Sequence, residues 1–203
     1  MSIRTIPATD FELAVISSSL HTSIGVFFTA SDCEPCDEVQ KILEALASDY
    51  EGRLHIAILN IEDEAIDSVL TQLAITSIPD FKLFDKKQVV AQIKGVPTKA
   101  QLQQLLDEHL MTEAQYRLQL LQNQVELLLS AEQFDEAMAL VKTFEQKYPE
   151  DAEALLVELA VLVQMNRIDE ALALIEQLPD ELKHNERAES VKNLIESLNA
   201  TKQ

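Results

Sequence analysis

Two kinds of hydrophobic periodicity divide the chain. Up to about Leu110, short apolar runs alternate with stretches in which apolar residues recur every three or four positions, and this alternation predicts an α/β unit with a central sheet. Beyond that point only the helical period remains, in a segment rich in Leu, Ala, Glu and Gln. We therefore predict an α/β domain over residues 1–110 and an all-α domain over residues 111–203.

The apolar runs of the first part predict its strands and helices. Two runs are long and continuous, as in strands buried on both faces, and two shorter ones flank a polar turn and are expected to pair as an antiparallel hairpin. Helices are expected after each of the two long runs. Capping boxes at Thr9-Asp-Phe-Glu12 and Thr98-Lys-Ala-Gln101 predict two further helix starts. The four predicted strands cover residues 25–30, 54–61, 81–84 and 89–93.

The helical part repeats itself. Phe134-Asp-Glu-Ala137 recurs as Ile168-Asp-Glu-Ala171, and the offset, 171 minus 137, is 34 residues, the period of helix-turn-helix repeats of the tetratricopeptide type. Ala137 and Ala171 are expected where two helices cross closely, because a larger side chain would push the helices apart. Two repeats rarely bury a continuous core, so we expect their open faces to be covered by a capping helix over about residues 186–198 or by the N-terminal domain. The predicted apolar side of this helix consists of Val191, Leu194, Ile195 and Leu198.

The balance of charge excludes several classes of partner. The chain has 16 Lys and Arg against 35 Asp and Glu, a net charge of −19, which repels nucleic acid and anionic lipid.

Its three glycines lie far apart, so neither a GxGxxG loop nor a Walker-type phosphate loop is present. The N-terminus has no signal-peptide pattern, and no apolar run reaches membrane-spanning length. We expect a cytoplasmic protein that binds neither nucleic acid nor membrane.

Metal-ligating residues are too few and too scattered for a structural site. Two cysteines cannot form a four-thiolate centre, and the four histidines have no ligand spacing. We therefore expect no metal and no cofactor.

The two cysteines form the motif Cys33-Glu-Pro-Cys36, directly after a predicted buried strand and at the start of a helix. At such a helix start, unpaired backbone N–H groups and the positive end of the helix favour a thiolate on the first cysteine. The spacing brings the second thiol close enough to resolve a mixed disulfide. The alternative is that the two cysteines are unrelated small residues of the core. Their placement directly after a strand and at the start of a helix disfavours this alternative.

A second element accompanies the cysteines. Ile78-Pro79 precedes a predicted strand, and Gly95 ends the last one; together with Val26-Phe-Phe-Thr-Ala-Ser-Asp-Cys33 they make the segment from about residue 3 to 110 resemble thioredoxin. The resemblance implies that Cys33 is the nucleophile and Cys36 the resolving thiol. It also implies that Pro79 is cis and that the backbone at Ile78 docks an extended peptide. The candidate substrate-docking residues are Asp32, Ile78, Pro79 and Gly95.

This sequence departs from thioredoxins at the site. Asp32 and Glu34 replace the usual tryptophan and glycine on either side of the first cysteine. Phe27 and Ile58 stand at the positions of a buried aspartate and a lysine that manage the proton of the resolving thiol, so that relay is absent. Nearby negative charge opposes a thiolate on Cys33, and we expect a sluggish nucleophile and a comparatively stable disulfide. The acids concerned are Asp32, Glu34, Asp37 and Glu38.

A thioredoxin-like domain followed by tetratricopeptide-like hairpins resembles the YbbN family, also called CnoX, of bacterial cytoplasmic proteins. The resemblance implies a co-chaperone that holds unfolding proteins, protects client cysteines and hands clients to GroEL and DnaK. Longer members continue with further helical repeats. This chain resembles a short form without that extension. Any GroEL docking that the extension makes in longer members would then be lost. Two other functions stay open: a thiol-disulfide oxidoreductase whose helical domain selects substrates, and a structural adaptor.

Overall fold

The computed structural model of the chain describes residues 3–186 and 188–193. Contacts between residues divide the chain into two units, Met1–Thr112 and Glu113–Gln203. The first contains a sheet with helices on both faces, and the described part of the second is helical. This combination confirms the predicted fold class.

The sheet of the first unit is mixed. Its strand order is β1-β3-β2-β4-β5; β1 and β2 run parallel to β3, and β4 runs antiparallel to both β2 and β5. The predicted hairpin is therefore confirmed. The strands are β1 Ile3–Thr5, β2 Ser23–Thr29, β3 Leu54–Asn60, β4 Asp80–Asp85 and β5 Gln88–Lys94.

Helices cover both faces of the sheet because strand side chains alternate between them. Phe27 and Phe81 pack on one face with residues of α1 and α3. Phe28 and Phe84 pack on the other face with α2 and residues 8–20. The helices are α1 Glu34–Asp49, α2 Asp67–Gln72 and α3 Lys99–His109.

The capping box predicted at Thr9 is wrong. Thr9 lies inside a short 3₁₀ turn, Ala8–Asp10, and its hydroxyl donates to the side chain of Asp10. The N–H of Ala8 instead donates to Oδ2 of Asp63, 2.9 Å away and 55 residues further along the chain. The N–H at the start of this turn is therefore bound by a distant carboxylate and not by a local side chain.

The capping box at Thr98 is confirmed. The N–H of Gln101 donates to Oγ1 of Thr98 over 3.3 Å, and the N–H of Thr98 donates to Oε1 of Gln101 over 2.9 Å. These reciprocal bonds define the start of α3.

The second unit is a series of antiparallel helix pairs. α4 packs on α5, α5 on α6 and α6 on α7, and two apolar clusters lie between them. The helices are α4 Glu113–Ser130, α5 Phe134–Lys147, α6 Ala154–Gln164, α7 Ile168–Gln177 and α8 Asp180–Lys183.

The 34-residue repeat extends to the backbone of the turns. Ala137 and Ala171 are both fully buried, as predicted for close helix crossings. The turns before α5 and α7 each contain a residue in the left-handed region, Glu132 with φ 58° and Asn166 with φ 56°. The residues that follow them, Gln133 and Arg167, share φ −89° and ψ 64°. The two hairpins are thus built on one local geometry.

The start of the predicted capping helix is helical, at residue 186 and residues 188–193. Ala188 is fully buried, and Val191 packs against the cluster formed by α6 and α7. Leu194, Ile195 and Leu198, which complete the prediction, lie outside the described residues.

Enlarging the helix crossing should destabilise the second unit. Ala137→Met is expected to lower the free energy of unfolding by about 2 kcal/mol, since added methylenes have no space in a filled core. Ala139→Met, on the exposed side of the same helix, should change it by less than about 0.5 kcal/mol. Urea denaturation followed by far-UV circular dichroism measures both. Equal stabilities of the two variants would contradict the assigned crossing.

Candidate functional site

Cys33 and Cys36 are joined by a disulfide at the start of α1, with their Cα atoms 5.2 Å apart. Cys33 is the N-cap residue of the helix, and the N–H of Cys36 donates to the carbonyl of Cys33 over 2.9 Å. Pro35 occupies the first turn, where its missing N–H leaves no hydrogen bond unmade. The predicted placement of the motif between a buried strand and a helix is confirmed.

The two cysteines differ in accessibility. Cys36 is 1% exposed, whereas Cys33 is half-buried at the edge of the same apolar cluster. An incoming protein thiol can therefore approach Cys33 and not Cys36. The geometry agrees with the order of reaction that the thioredoxin resemblance implies.

The interior beside Cys36 is apolar. Phe27 and Ile58 lie in the same buried cluster as Cys36, and neither side chain can accept or donate a proton. A proton that leaves or joins Cys36 must therefore be exchanged with water or with a bound partner rather than with these two side chains.

The segment before β4 lies beside the cysteines. The Ile78–Pro79 peptide bond is cis, as the resemblance implies. Ile78 is half-buried and packs on the cluster that contains Cys36. The N–H of Gly95, which has φ 77°, donates to the carbonyl of Pro79 over 2.9 Å. Ile78, Pro79 and Gly95 thus form one connected segment, and Ile78 packs on the same apolar cluster as Cys33.

Two exposed residues complete the surface of the site. Asp32, which precedes the first cysteine, is exposed to solvent. Val96 follows Gly95 and is 51% exposed, so it adds an apolar side chain beside the cis-proline segment. Val96 was not predicted as a site residue, although its position after Gly95 was a usable signal.

A polar network at the end of β2 and β3 was also not predicted. Oε2 of Glu62 accepts hydrogen bonds from the N–H and hydroxyl of Ser31, at 3.2 and 2.5 Å, and from the side-chain amide of Asn60 at 3.2 Å. These donors hold the pKa of Glu62 below its usual value. Because the carboxyl ends of two parallel strands meet at one sheet edge, this neighbourhood could have been inferred from the strand pattern.

A buried charged pair follows the cis-proline. Asp80 is fully buried, its Oδ2 accepts from Nε2 of Gln92 over 2.8 Å, and its Oδ1 lies 3.9 Å from Nζ of Lys82. Burial raises the pKa of Asp80 and lowers that of Lys82, while each partly offsets the shift of the other. Lys94 lies 4.0 Å from Oδ2 of the same carboxylate. The local sequence gave no signal for this burial.

Two kinds of feature are missing from the part of the chain that the structure describes. Residues 3–186 and 188–193 contain no group of three or more His, Cys, Asp and Glu side chains that could hold a metal ion. No helix within the same residues is long and apolar enough to cross a membrane.

Comparison with known proteins assigns both parts of the chain. Residues 2–108 match the thioredoxin family model, and residues 128–195 match a tetratricopeptide repeat model. Similar curated proteins include the thioredoxins of Staphylococcus aureus strains Mu50 / ATCC 700699, MW2 and N315. Each is 35% identical over 85 residues, which is 42% of this chain and 80% of the relative.

The match and the geometry agree. A vicinal cysteine pair in the first unit fits thiol-disulfide chemistry, and the repeat region of the second fits protein–protein interaction. The family model spans more than half of the chain and includes the disulfide, the cis-proline and Gly95. The chain belongs to the thioredoxin family, with a tetratricopeptide-repeat region after its thioredoxin domain.

Proposed function

We propose that the protein is a holdase-type co-chaperone that binds unfolding proteins and tethers their cysteines to Cys33 through mixed disulfides. One observation carries the proposal: a half-buried Cys33 is bonded to a buried Cys36 beside a cis-proline, in a chain that also carries helical repeats. The protein would act in the bacterial cytoplasm, as the resemblance to the YbbN or CnoX family implies. Its partners would be client proteins and the DnaK system; GroEL is a second chaperone candidate.

The mixed disulfide between Cys33 and the client forms and breaks without an external oxidant. A client thiolate attacks Sγ of Cys33, the Cys33–Cys36 bond breaks, and Cys36 leaves as a thiolate that takes a proton from water. Attack by the Cys36 thiolate on Sγ of Cys33 then releases the client thiolate and restores the original disulfide. The client is neither oxidised nor reduced over the full cycle, so the two cysteines provide a reversible hold.

The docking edge is assigned to the segment beside the disulfide. We propose that the backbone at Ile78 pairs with an extended client segment, and that Asp32, Gly95 and Val96 flank that segment. Support comes from the contact of Ile78 with the cysteine cluster and from the Gly95–Pro79 hydrogen bond. Pro79 is buried and shapes the edge rather than touching the client.

Removing the resolving thiol should trap clients. With Cys36→Ser, the free Cys33 thiolate attacks the disulfide of an oxidised client, one client sulfur leaves as a thiolate, and the other stays bonded to Cys33. No resolving thiol remains to break that bond, so covalent client complexes should accumulate and disappear on reduction. Non-reducing electrophoresis and mass spectrometry of the trapped bands measure this. The variant lacking both cysteines should trap none.

The holding activity is tested separately from the covalent step. The wild-type protein should suppress aggregation of a heat-unfolded client at a near-stoichiometric ratio, and the variant lacking both cysteines should retain much of that effect through its helical repeats. No suppression by the wild type would reject the holdase role, and no trapped client would reject the tether.

A second candidate function is reduction of protein disulfides by the same pair. The 35% identity to thioredoxins over 85 residues favours it, while the apolar environment of Cys36 at Phe27 and Ile58 disfavours fast turnover. Thioredoxin reductase or glutathione would have to recycle the wild-type pair far faster than the Cys33→Ser variant. Sustained turnover of that kind would replace the co-chaperone proposal with an oxidoreductase.

A further inference from the structure

Cys33 is half-buried, and four carboxylates, here called the acidic rim, lie near it along the chain or bond to the segment before it: Asp32, Glu34, Asp37 and Glu62. Three of them belong to the segment around the disulfide and are exposed to solvent. The fourth, Glu62, is held there by its hydrogen bonds to Ser31. Ser31 is two residues from Cys33, at most about 7.6 Å between Cα atoms, so folding adds a carboxylate that the motif itself lacks.

The lysines on either side of the Gly95 segment are already paired with carboxylates. No Lys or Arg occurs between Arg4 and Lys41, and none occurs between Arg53 and Lys82. The two lysines that flank the Gly95 segment both contact carboxylates: Lys94 lies 4.0 Å from Asp80, and Lys99 lies 3.1 Å from Asp49. Among the side chains near Cys33 in the sequence, the acidic rim therefore supplies the net charge, opposite in sign to the positive end of α1.

We propose that the acidic rim makes the dithiol selective for client cysteines flanked by Lys or Arg, and that it disfavours anionic thiols such as glutathione. This inference rests on the proposed function, because it names the substrate class of that same site. A basic segment is attracted toward Cys33, whereas an acidic one is repelled. Basic neighbours also favour the thiolate of the client cysteine, which is the attacking form.

The apolar side of the site limits where the basic residues can lie. Val96 and Ile78 flank the cis-proline and carry no charge, so a client residue on that side should be apolar. The preferred client segment is thus extended, with an apolar residue toward Val96 and basic residues toward the acidic rim.

The test uses the full-length Cys36→Ser variant, with Cys33 first joined to a neutral thiopyridine through a disulfide, so that the peptide thiolate displaces thiopyridine and no Cys36 thiolate resolves the adduct. Three peptides are compared. They share one sequence and one cysteine, and differ only in having two Lys, two Ser or two Glu beside it. Acid quenching and mass spectrometry follow the mixed disulfide on Cys33. Each rate is divided by the rate of the same peptide with dithiodipyridine, a neutral disulfide, which removes differences in thiolate content.

The Lys peptide should react about tenfold faster than the Glu peptide at low salt. The ratio should fall below about threefold at 1 M salt, where charges are screened within about 3 Å. It should also fall below about threefold in the variant Asp32→Asn/Glu34→Gln/Asp37→Asn. The matched control Glu12→Gln/Glu51→Gln/Glu176→Gln loses the same number of charges elsewhere and should keep the tenfold ratio.

The outcomes separate this inference from the proposed function. Adducts that form with all three peptides at rates within twofold would overturn the selectivity and leave the thiol exchange standing. If the control variant loses the ratio of Lys-peptide to Glu-peptide rates as completely as the rim variant does, the effect comes from net charge. That result would overturn the role assigned to the acidic rim. If no peptide forms an adduct on Cys33, the exchange itself fails, and the selectivity with it.

Discussion

Gly25→Val is expected to destabilise the first unit by at least about 3 kcal/mol. Gly25 lies in the middle of β2, and a Cβ atom placed there would be 2.7 Å from both Cε2 and Cζ of the Phe81 ring. That ring is buried between the sheet and the helices and has no open space to move into. The added side chain must displace either the ring or the strand, and both changes disturb the core beside Cys36.

Denaturant titration of the wild type and three variants isolates this contact. Gly25→Val/Phe81→Ala should be less destabilised than the sum of its two single variants, because the smaller side chain at position 81 makes room. Gly95→Ala is the matched glycine control: its Cβ would meet no atom within 4 Å, and only its φ of 77° opposes the change, by about 1 kcal/mol. A wild-type stability for Gly25→Val would refute the packing described for β2.

Lys82→Met should cost about 3 kcal/mol at neutral pH, because it leaves the buried Asp80 carboxylate without its closest buried cation. The pKa of Asp80 is already raised by burial, and loss of Lys82 raises it further. A group whose pKa is higher in the folded state favours folding below its unfolded pKa and opposes it above its folded pKa. The deficit should therefore shrink as the pH falls from about 7 to about 4.

The matched control is Lys87→Met, the same substitution at an exposed position of the same hairpin. Subtracting its stability from that of Lys82→Met at each pH removes the general effect of acid on this acidic chain. Asp80→Leu/Lys82→Met, which removes both charges, should be more stable than Lys82→Met alone. A deficit that is the same at both pH values would show that the ionised carboxylate is not its cause.

The elements that could be predicted are those whose signal is local or periodic. The hairpin of β4 and β5 follows from two apolar runs around a polar turn, and the Thr98 capping box from residues three apart. The helical repeat was predictable to the residue, since a buried alanine at 137 and another at 171 require the same crossing twice. Local regularity and tertiary packing agree in all three.

The predictions that failed concern residues whose partners are distant along the chain. Thr9 satisfies the pattern of a capping box, but Asp63 supplies the acceptor for the N–H of Ala8 from 55 residues away. Lys82 alternates with apolar residues and so resembles a solvent-facing position, whereas β4 lies between β2 and β5 and is buried on both faces. Neither outcome depends on the residues next to the position concerned.

At the candidate site, the local sequence predicted the chemistry but not its surroundings. Cys33 and Cys36 could be placed from the strand before them and the helix after them, and the cis bond at Pro79 followed from the thioredoxin resemblance. Glu62 reaches the site only because β2 and β3 are parallel neighbours whose ends coincide. Its contribution required knowledge of the strand order.

The shared turn geometry before α5 and α7 has an evolutionary consequence. Glu132 and Asn166 give the turns before α5 and α7 the same backbone geometry, 34 residues apart. A duplicated gene segment of that length would therefore add one more hairpin whose turn already has this geometry. Such a chain could lengthen by whole hairpins while the geometry of each turn stayed the same. Growth of that kind would enlarge the surface offered to other polypeptides without any change in the chemistry of the disulfide.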